Sequence, residues 1–305
     1  MPVVDVSHVS KSFGAIKAVN DVSFTVEKGE IFGLLGPNGA GKTTIIRLML
    51  DIFKPEKGQI AILGGPMSEA KKDRIGYMPE ERGLYQDAQL ERVLVYMATL
   101  KGVPQRLAIQ RIRQSIDRFE LSAYRKKKVK DLSKGMQQKA QLIATLAHQP
   151  ELIIIDEPFS ALDPINTQNV KELLRELRQQ GATIIMSTHQ MHQVEEMCDQ
   201  ILLINRGGSL LSGNLQEIRR QFSNIANLNN IIILQTAGPL PALSGVEKIE
   251  THNSTHRVTL AEGVTPQHIL NTLVSQEVQV EKFQIALPTL EEIFVHVIKS
   301  DQVPE

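Results

Sequence analysis

The chain has a single cysteine, Cys198, in 305 residues. One thiol cannot form an intrachain disulfide, so a reducing cytosol is the expected setting. Cys198 lies in Val194-Glu195-Glu196-Met197-Cys198 and reads as a small buried hydrophobe rather than a reactive thiol. Charge of one sign is not in excess either: Lys plus Arg total 34, and Asp plus Glu total 34. That balance excludes a global pull towards nucleic acid or acidic membrane and leaves only local basic character. No apolar run approaches the roughly 20 residues needed to span a bilayer. A membrane role would therefore have to come through a partner. The opening Met1-Pro2-Val3-Val4-Asp5 has neither a basic start nor a long apolar core, so no signal peptide is expected. Repeats and low-complexity segments are also lacking. What remains, 42% hydrophobic and 22% charged, suits a globular protein with a real core.

The first part alternates short β-type runs with helix-type runs, the pattern of a largely parallel α/β sheet. Residues 22–26, 30–35, 152–156 and 182–187 read as strands, the last two continuous enough to be covered on both faces. Helices are expected at 42–51, 90–101, 106–119, 164–180, and from a Ser133 cap to about His148. Gly181 stands where a helix-ending glycine belongs. Strands at 201–205 and 209–211 flank Arg206-Gly207-Gly208, a plausible hairpin turn. The texture changes near residue 221. Residues 223–230 are rich in serine and asparagine and read as a linker. Beyond it, strands at 231–235, 246–251, 257–260 and 278–283 and helices at 266–274 and 290–298, the second capped by Thr289, suggest a small α+β domain. The expected division is therefore 1–220 and 221–305.

The strongest signal is Gly36-Pro37-Asn38-Gly39-Ala40-Gly41-Lys42-Thr43-Thr44, set between a strand and a helix. Its glycines let successive backbone N–H groups point at phosphate oxygens, and the helix adds the positive end of its dipole. Lys42 supplies charge for the β- and γ-phosphates, and the Thr43 hydroxyl is placed to ligate Mg²⁺. An ordinary glycine turn is the bland alternative. A second constellation is Leu152-Ile153-Ile154-Ile155-Asp156-Glu157-Pro158. It puts two carboxylates at the carboxyl end of a strand, where ligands bind in open α/β sheets. Asp156 would hold Mg²⁺, and Glu157 would polarise the water attacking the γ-phosphate. The pair could instead cap the next helix. His189 ends a third apolar run, Ile184-Ile185-Met186-Ser187-Thr188-His189, in position to face the γ-phosphate.

Leu132-Ser133-Lys134-Gly135-Met136-Gln137-Gln138 follows the same physics, with a hydroxyl, a glycine N–H and a helix start. With these motifs in this order, the chain resembles the ATP-binding subunits of ABC transporters. The resemblance covers most of the first 220 residues. It implies a P-loop ABC-type nucleotide-binding domain, α/β with a mixed sheet, an antiparallel β portion and a helical insertion. Under it, Ser133 and Gly135 read the γ-phosphate of ATP held by an opposing subunit. Lys134 and Met136 depart from the family's usual Gly and Gln. Ser160-Ala161-Leu162-Asp163 resembles the loop that crosses the dimer interface, and His189 the switch histidine. Phe13 sits where the family stacks an aromatic ring on adenine; a core phenylalanine is the alternative. Most members have glutamine where this chain has Glu80, in Pro79-Glu80-Glu81. A carboxylate near three phosphates is unfavourable unless it sits on the metal, so Glu80 is a candidate Mg²⁺ ligand, directly or through water; the alternatives are that Glu80 points away and only solvates the loop, or that Glu81 takes the role in a one-residue shift. Residues 75–85 and the closing Pro288-Thr289-Leu290-Glu291-Glu292-Ile293-Phe294 resemble the sodium- and drug-export branch.

The resemblance implies an ATPase with ATP and Mg²⁺ as ligands. Two copies meet head to tail, and a separate integral-membrane permease converts ATP binding and hydrolysis into export. The expected place is cytoplasmic, on the inner face of the cell membrane. No nucleic-acid partner is expected: Arg125-Lys126-Lys127-Lys128 has only Tyr124 as an aromatic companion and reads as a solvated loop, with contact to lipid headgroups the alternative. A soluble ABC ATPase acting on DNA or ribosomes is one rival, but no long coiled coil or second ATPase unit is visible. A nucleotide-gated binding module with little turnover is another, opposed by the intact Asp156-Glu157 pair.

Overall fold

The computed structural model describes residues 2–81, 83–223, 231–238, 240–252, 254–261 and 263–301. The chain divides into two compact units, Met1–Gly213 and Asn214–Glu305. The first unit opens with strands Val4–Phe13 (β1), Ile16–Val26 (β2) and Ile31–Leu35 (β3), then helix Lys42–Met49 (α1) and strand Lys57–Ile62 (β4). Helix Glu69–Lys72 (α2), strand Ile75–Met78 (β5), and helices Leu90–Leu100 (α3), Gln105–Arg118 (α4) and Lys134–Leu146 (α5) follow. Strand Leu152–Asp156 (β6), helix Pro164–Gln179 (α6), strand Thr183–Thr188 (β7) and helix Met191–Met197 (α7) lead to strands Gln200–Asn205 (β8) and Gly208–Asn214 (β9).

One sheet has the order β5-β6-β7-β3-β8-β9, and a separate antiparallel sheet has the order β2-β1-β4. The pairings β5–β6, β6–β7, β7–β3 and β3–β8 are all parallel. Helices connect these strands, so both faces are covered, and every residue of β3, β6 and β7 is buried. The antiparallel sheet behaves differently. In β2, Val22, Phe24 and Val26 are buried while Ser23 and Thr25 are exposed, the period-two alternation of a sheet with one wet face. Phe24 stacks on Phe32 of β3 with ring centroids 5.2 Å apart, joining the two sheets in one core. Each such buried side chain contributes about 1.5–3 kcal/mol.

Local signals explain the ends. The Ser133 hydroxyl accepts from Met136 N at 3.2 Å and caps α5. Gly181, at φ 95°, donates to Arg178 O at 2.8 Å and ends α6. Arg206 and Gly207 both have positive φ, as a two-residue hairpin turn requires. The basic run is tied down locally: Arg125 pairs with Glu91 at 3.4 Å and Lys128 with Asp87 at 3.9 Å.

The second unit begins with helix Leu215–Ser223 (α8). Strands Ile231–Thr236 (β10), Val246–His252 (β11) and Thr255–Leu260 (β12), helix Pro266–Ser275 (α9), strand Val280–Ile285 (β13) and helix Leu290–Asp301 (α10) complete it. Its sheet runs β11-β12-β10-β13, with antiparallel pairing throughout. Ile269 and Leu273 of α9 pack on Ile232, Leu234, Val258 and Leu260. This is the α+β texture expected of the tail. The expected division at 220/221 falls inside α8, which the structure groups with the second unit. The expected linker lies, from 224 to 230, outside the described residues.

Candidate functional site

The loop from Gly36 to Gly41 joins the carboxyl end of β3 to the start of α1. Two of its glycines are there for space as well as for φ. A Cβ on Gly36 would come 2.3 Å from Ile204 O, and one on Gly41 2.3 Å from Ala18 O. The loop is stitched to the neighbouring turn, since Gly207 N donates to Ala40 O at 2.9 Å. Asn20 N in turn donates to Gly207 O at 2.8 Å, which anchors β2 to the same turn. Backbone therefore approaches closely at both ends of the loop, while a Cβ on Gly39 between them would meet nothing within 4 Å.

Lys42 is 7% exposed, and its Nζ donates to Gly36 O at 2.7 Å and Pro37 O at 3.2 Å. Burial pulls its pKa below the usual lysine value, while Glu157, Asp156 and Glu80 oppose that shift. Three carboxylates thus bear on one ammonium. Next to it, Thr43 Oγ1 donates to Asp156 Oδ2 at 2.9 Å, joining α1 to the end of β6. Ser187 Oγ donates to the other Asp156 oxygen.

Glu157 follows directly, 5% exposed and in the left-handed backbone region at φ 54°. Its Oε2 accepts from Thr188 Oγ1 at 3.0 Å. Its Oε1 accepts from His189 N at 3.1 Å and meets His189 Nδ1 at 2.7 Å. Both atoms come from the end of β7, one strand away from β6. The half-exposed His189 ring is thereby fixed beside the carboxylate.

A cavity of about 490 Å³ is lined by Asn38, Gly39, Gly41, Lys42, Thr43, Thr44, Glu80, Asp156 and Glu157. Of the two glutamates in the Pro79-Glu80-Glu81 segment, Glu80 lines it and Glu81 does not. Ile16, Lys17, Ala18 and Arg206 complete the wall. The oxygens offered by Thr43, Asp156 and Glu80 are all hard donors, the set that suits Mg²⁺. The glycine-rich loop running into the N-terminus of α1 offers backbone N–H groups and a helix start, which suit phosphate. The residues present therefore fit a magnesium nucleotide.

Other expected residues lie elsewhere. Phe13, Ser133, Gly135 and Asp163 are absent from this lining. Phe13 is 43% exposed and meets Phe53 edge to face at 5.2 Å, which is not the packing of a core ring. Asp163 caps α6, accepting from Asn166 N at 2.9 Å, and that backbone bond holds its carboxyl below the usual value. Gly135 lies against the same loop: a Cβ there would come 3.1 Å from Ala161 O. Ser187, Thr188, Arg206 and the start of β2 were not singled out from sequence. Ser187 and Thr188 carried one usable signal, two hydroxyls at the end of an otherwise apolar strand. Arg206 carried none beyond its turn.

Known proteins provide an independent comparison. Residues 19–160 match the family model described as ABC transporter. Residues 213–298 match the one described as ATP-binding protein DrrA1-3-like, C-terminal domain. The chain is 38% identical over 301 residues to the ABC transporter ATP-binding protein YhaQ of Bacillus subtilis (strain 168), covering 96% of this chain and 97% of that protein. It is 32% identical over 225 residues to the probable multidrug ABC transporter ATP-binding protein YbhF of Escherichia coli (strain K12), covering 73% of this chain and 39% of that protein. Among solved structures, an ATP-binding subunit of an ABC transporter superposes with TM-score 0.68 at 32% identity, over 72% of this chain and 93% of that one. The ADP conformation of an ATP-binding cassette, MJ1267, superposes with TM-score 0.60 over 71% of this chain and 92% of that one; at 22% identity it speaks for the fold alone.

Proposed function

Because the chain belongs to the ABC transporter family, as an ATP-binding subunit with a DrrA-like C-terminal domain, we propose that it hydrolyses MgATP to power export through a separate permease. The observation that carries hydrolysis, rather than binding alone, is the buried Glu157 that lines the cavity and is held by Thr188 and His189. A carboxylate fixed in this way is a general base with one open direction. Lys42 and the loop N–H groups of 36–41 bind and orient the triphosphate. Thr43, Asp156 and Glu80 would hold Mg²⁺, which would supply charge neutralisation on the β- and γ-phosphates. Glu157 takes the proton of the attacking water, and His189 keeps the carboxylate aimed.

Ser133, Gly135 and Asp163 lie outside the cavity, so in this reading they act in trans. Two copies meet head to tail, each signature segment facing the partner's phosphate loop. ATP then touches both subunits and has greater affinity for the closed pair than for the open one, which is what a ligand needs to shift a population. Phe13, exposed beside the cavity's β2 wall, is the adenine platform. Among the described residues no helix is long and apolar enough to cross a membrane. The transmembrane path therefore belongs to the permease, with this subunit on the cytoplasmic face. The export direction draws support from the DrrA-like tail and the multidrug-type relative.

Glu80→Gln removes one carboxylate from the cavity and is expected to raise the Mg²⁺ concentration for half-maximal hydrolysis about tenfold or more, since loss of even an outer partner of a metal ligand costs about 10–100-fold. Glu81→Gln is expected to leave it unchanged. A Mg²⁺ titration of the ATPase rate at saturating ATP decides between them. Separately, apart from residues supplied by a second copy, every residue of the proposed site precedes Gly213. A chain truncated after residue 213 is expected to melt cooperatively and to bind MgATP with the affinity of the full chain. Scanning calorimetry and nucleotide titration check this; a broad, non-cooperative melt would show that the tail completes the core.

A further inference from the structure

Helix α5 begins at the Ser133 cap and buries two glutamines three positions apart, which places them on one face. Gln138 and Gln141 are each 4% exposed. Gln138 Nε2 donates to Glu157 O at 3.2 Å. Gln141 Nε2 donates to Pro79 O at 2.8 Å and to Glu81 O at 3.2 Å, and its Oε1 accepts from Gly83 N at 3.3 Å. One buried amide therefore grips the carbonyls on both sides of Glu80.

The same helix continues this contact along β5. Thr145 Oγ1 lies 3.4 Å from Tyr77 O, and His148, just past the helix end, places Nε2 3.2 Å from Ile75 O. There is no slack between the two elements. A Cβ on Gly76 would come 2.7 Å from Thr145 O.

We infer that Gln141 is a positioning residue: it fixes the peptide groups flanking Glu80, so that the Glu80 carboxylate is aimed into the phosphate cavity. The inference rests on the reading of Glu80 as a Mg²⁺ ligand. Glu80 itself is exposed and lines the cavity beside Lys42 and Asp156. A solvated side chain on an untethered loop would sample many directions and lose rotamer entropy on binding metal. The clamp removes the backbone share of that freedom beforehand. Gln141 touches neither nucleotide nor metal in this arrangement. It acts only through the loop it holds, as the outer partners of metal ligands do.

The test is a double-mutant cycle in the full chain. The readout is the Mg²⁺ concentration for half-maximal binding of a fluorescent, non-hydrolysable ATP analogue. Glu80→Gln and Gln141→Met are each expected to raise it about tenfold or more. The double variant is expected to match Glu80→Gln alone, since the clamp has nothing left to aim. Metal-free binding of the analogue should stay at the wild-type level in Gln141→Met, and should strengthen rather than weaken in the two variants that lose the Glu80 carboxylate. If Gln141→Met does not fold, Gln141→Asn keeps the amide but shortens its reach, and the same shift is expected. An unmoved curve for the Gln141 variant beside a moved one for Glu80→Gln overturns the positioning role. So do shifts that simply add in the double variant. An unmoved Glu80→Gln curve overturns the metal-ligand reading and the clamp with it, while leaving ATP binding and hydrolysis by the subunit intact.

Discussion

Replacing Lys42 by alanine is expected to abolish tight ATP binding. The ammonium is buried and partly desolvated, and Glu157, Asp156 and Glu80 all bear on it. Without it, those carboxylates face an incoming triphosphate uncompensated. Each charge-assisted contact of this kind is worth about 1.5–3 kcal/mol, or about ten- to 150-fold in affinity. Lys42→Met separates charge from packing, because it keeps most of the aliphatic stem. Both variants are expected to lose at least about tenfold in an equilibrium titration with a fluorescent ATP analogue. Affinity unchanged in both would remove Lys42 from the phosphate site.

Glu157→Gln is expected to divide binding from chemistry. The amide oxygen can still accept from His189 N, and the amide NH₂ can reach Thr188 Oγ1, so the side chain keeps its place. What it loses is the ability to take a proton. Loss of a general base lowers the rate by about 10²–10⁴-fold. ATP should then persist between two subunits and hold them together. Size-exclusion chromatography with MgATP is expected to show a dimer that the wild type, turning ATP over, does not accumulate. Normal turnover by this variant would show that another group activates the water.

The phosphate loop and the carboxylate pair were legible in sequence because each is contiguous. Lys42, Thr43, Asp156 and Glu157 sit in uninterrupted motifs at strand ends, and strand ends on one edge of a parallel sheet must converge. The antiparallel sheet was harder. In β1 the pairing with β2 shifts register between Val6 and Val9, between Val9 and Lys11 and between Lys11 and Ser12, so no clean alternation survives in the sequence. Strand β5 is only four residues long and begins Ile-Gly, too short for a periodic signal. The polar clamps were invisible for another reason. Gln138 and Gln141 read as ordinary surface positions on a helix, and only tertiary contact shows that backbone carbonyls, not water, satisfy them. The division near 220 was set by composition, which tracked the polar stretch after α8 rather than the helix before it.

The backbone at Glu157 has a consequence for how this protein can change. A side-chain-bearing residue in the left-handed region costs about 1 kcal/mol that glycine avoids and asparagine reduces. Burying a carboxylate there adds to the burden. The hydrogen bonds from Thr188 and His189 offset that cost only while the carboxylate is there to accept them, so glycine would relieve the backbone and orphan those donors. If Glu157 is the general base proposed above, a programme of thermostabilisation would need to hold residue 157 fixed.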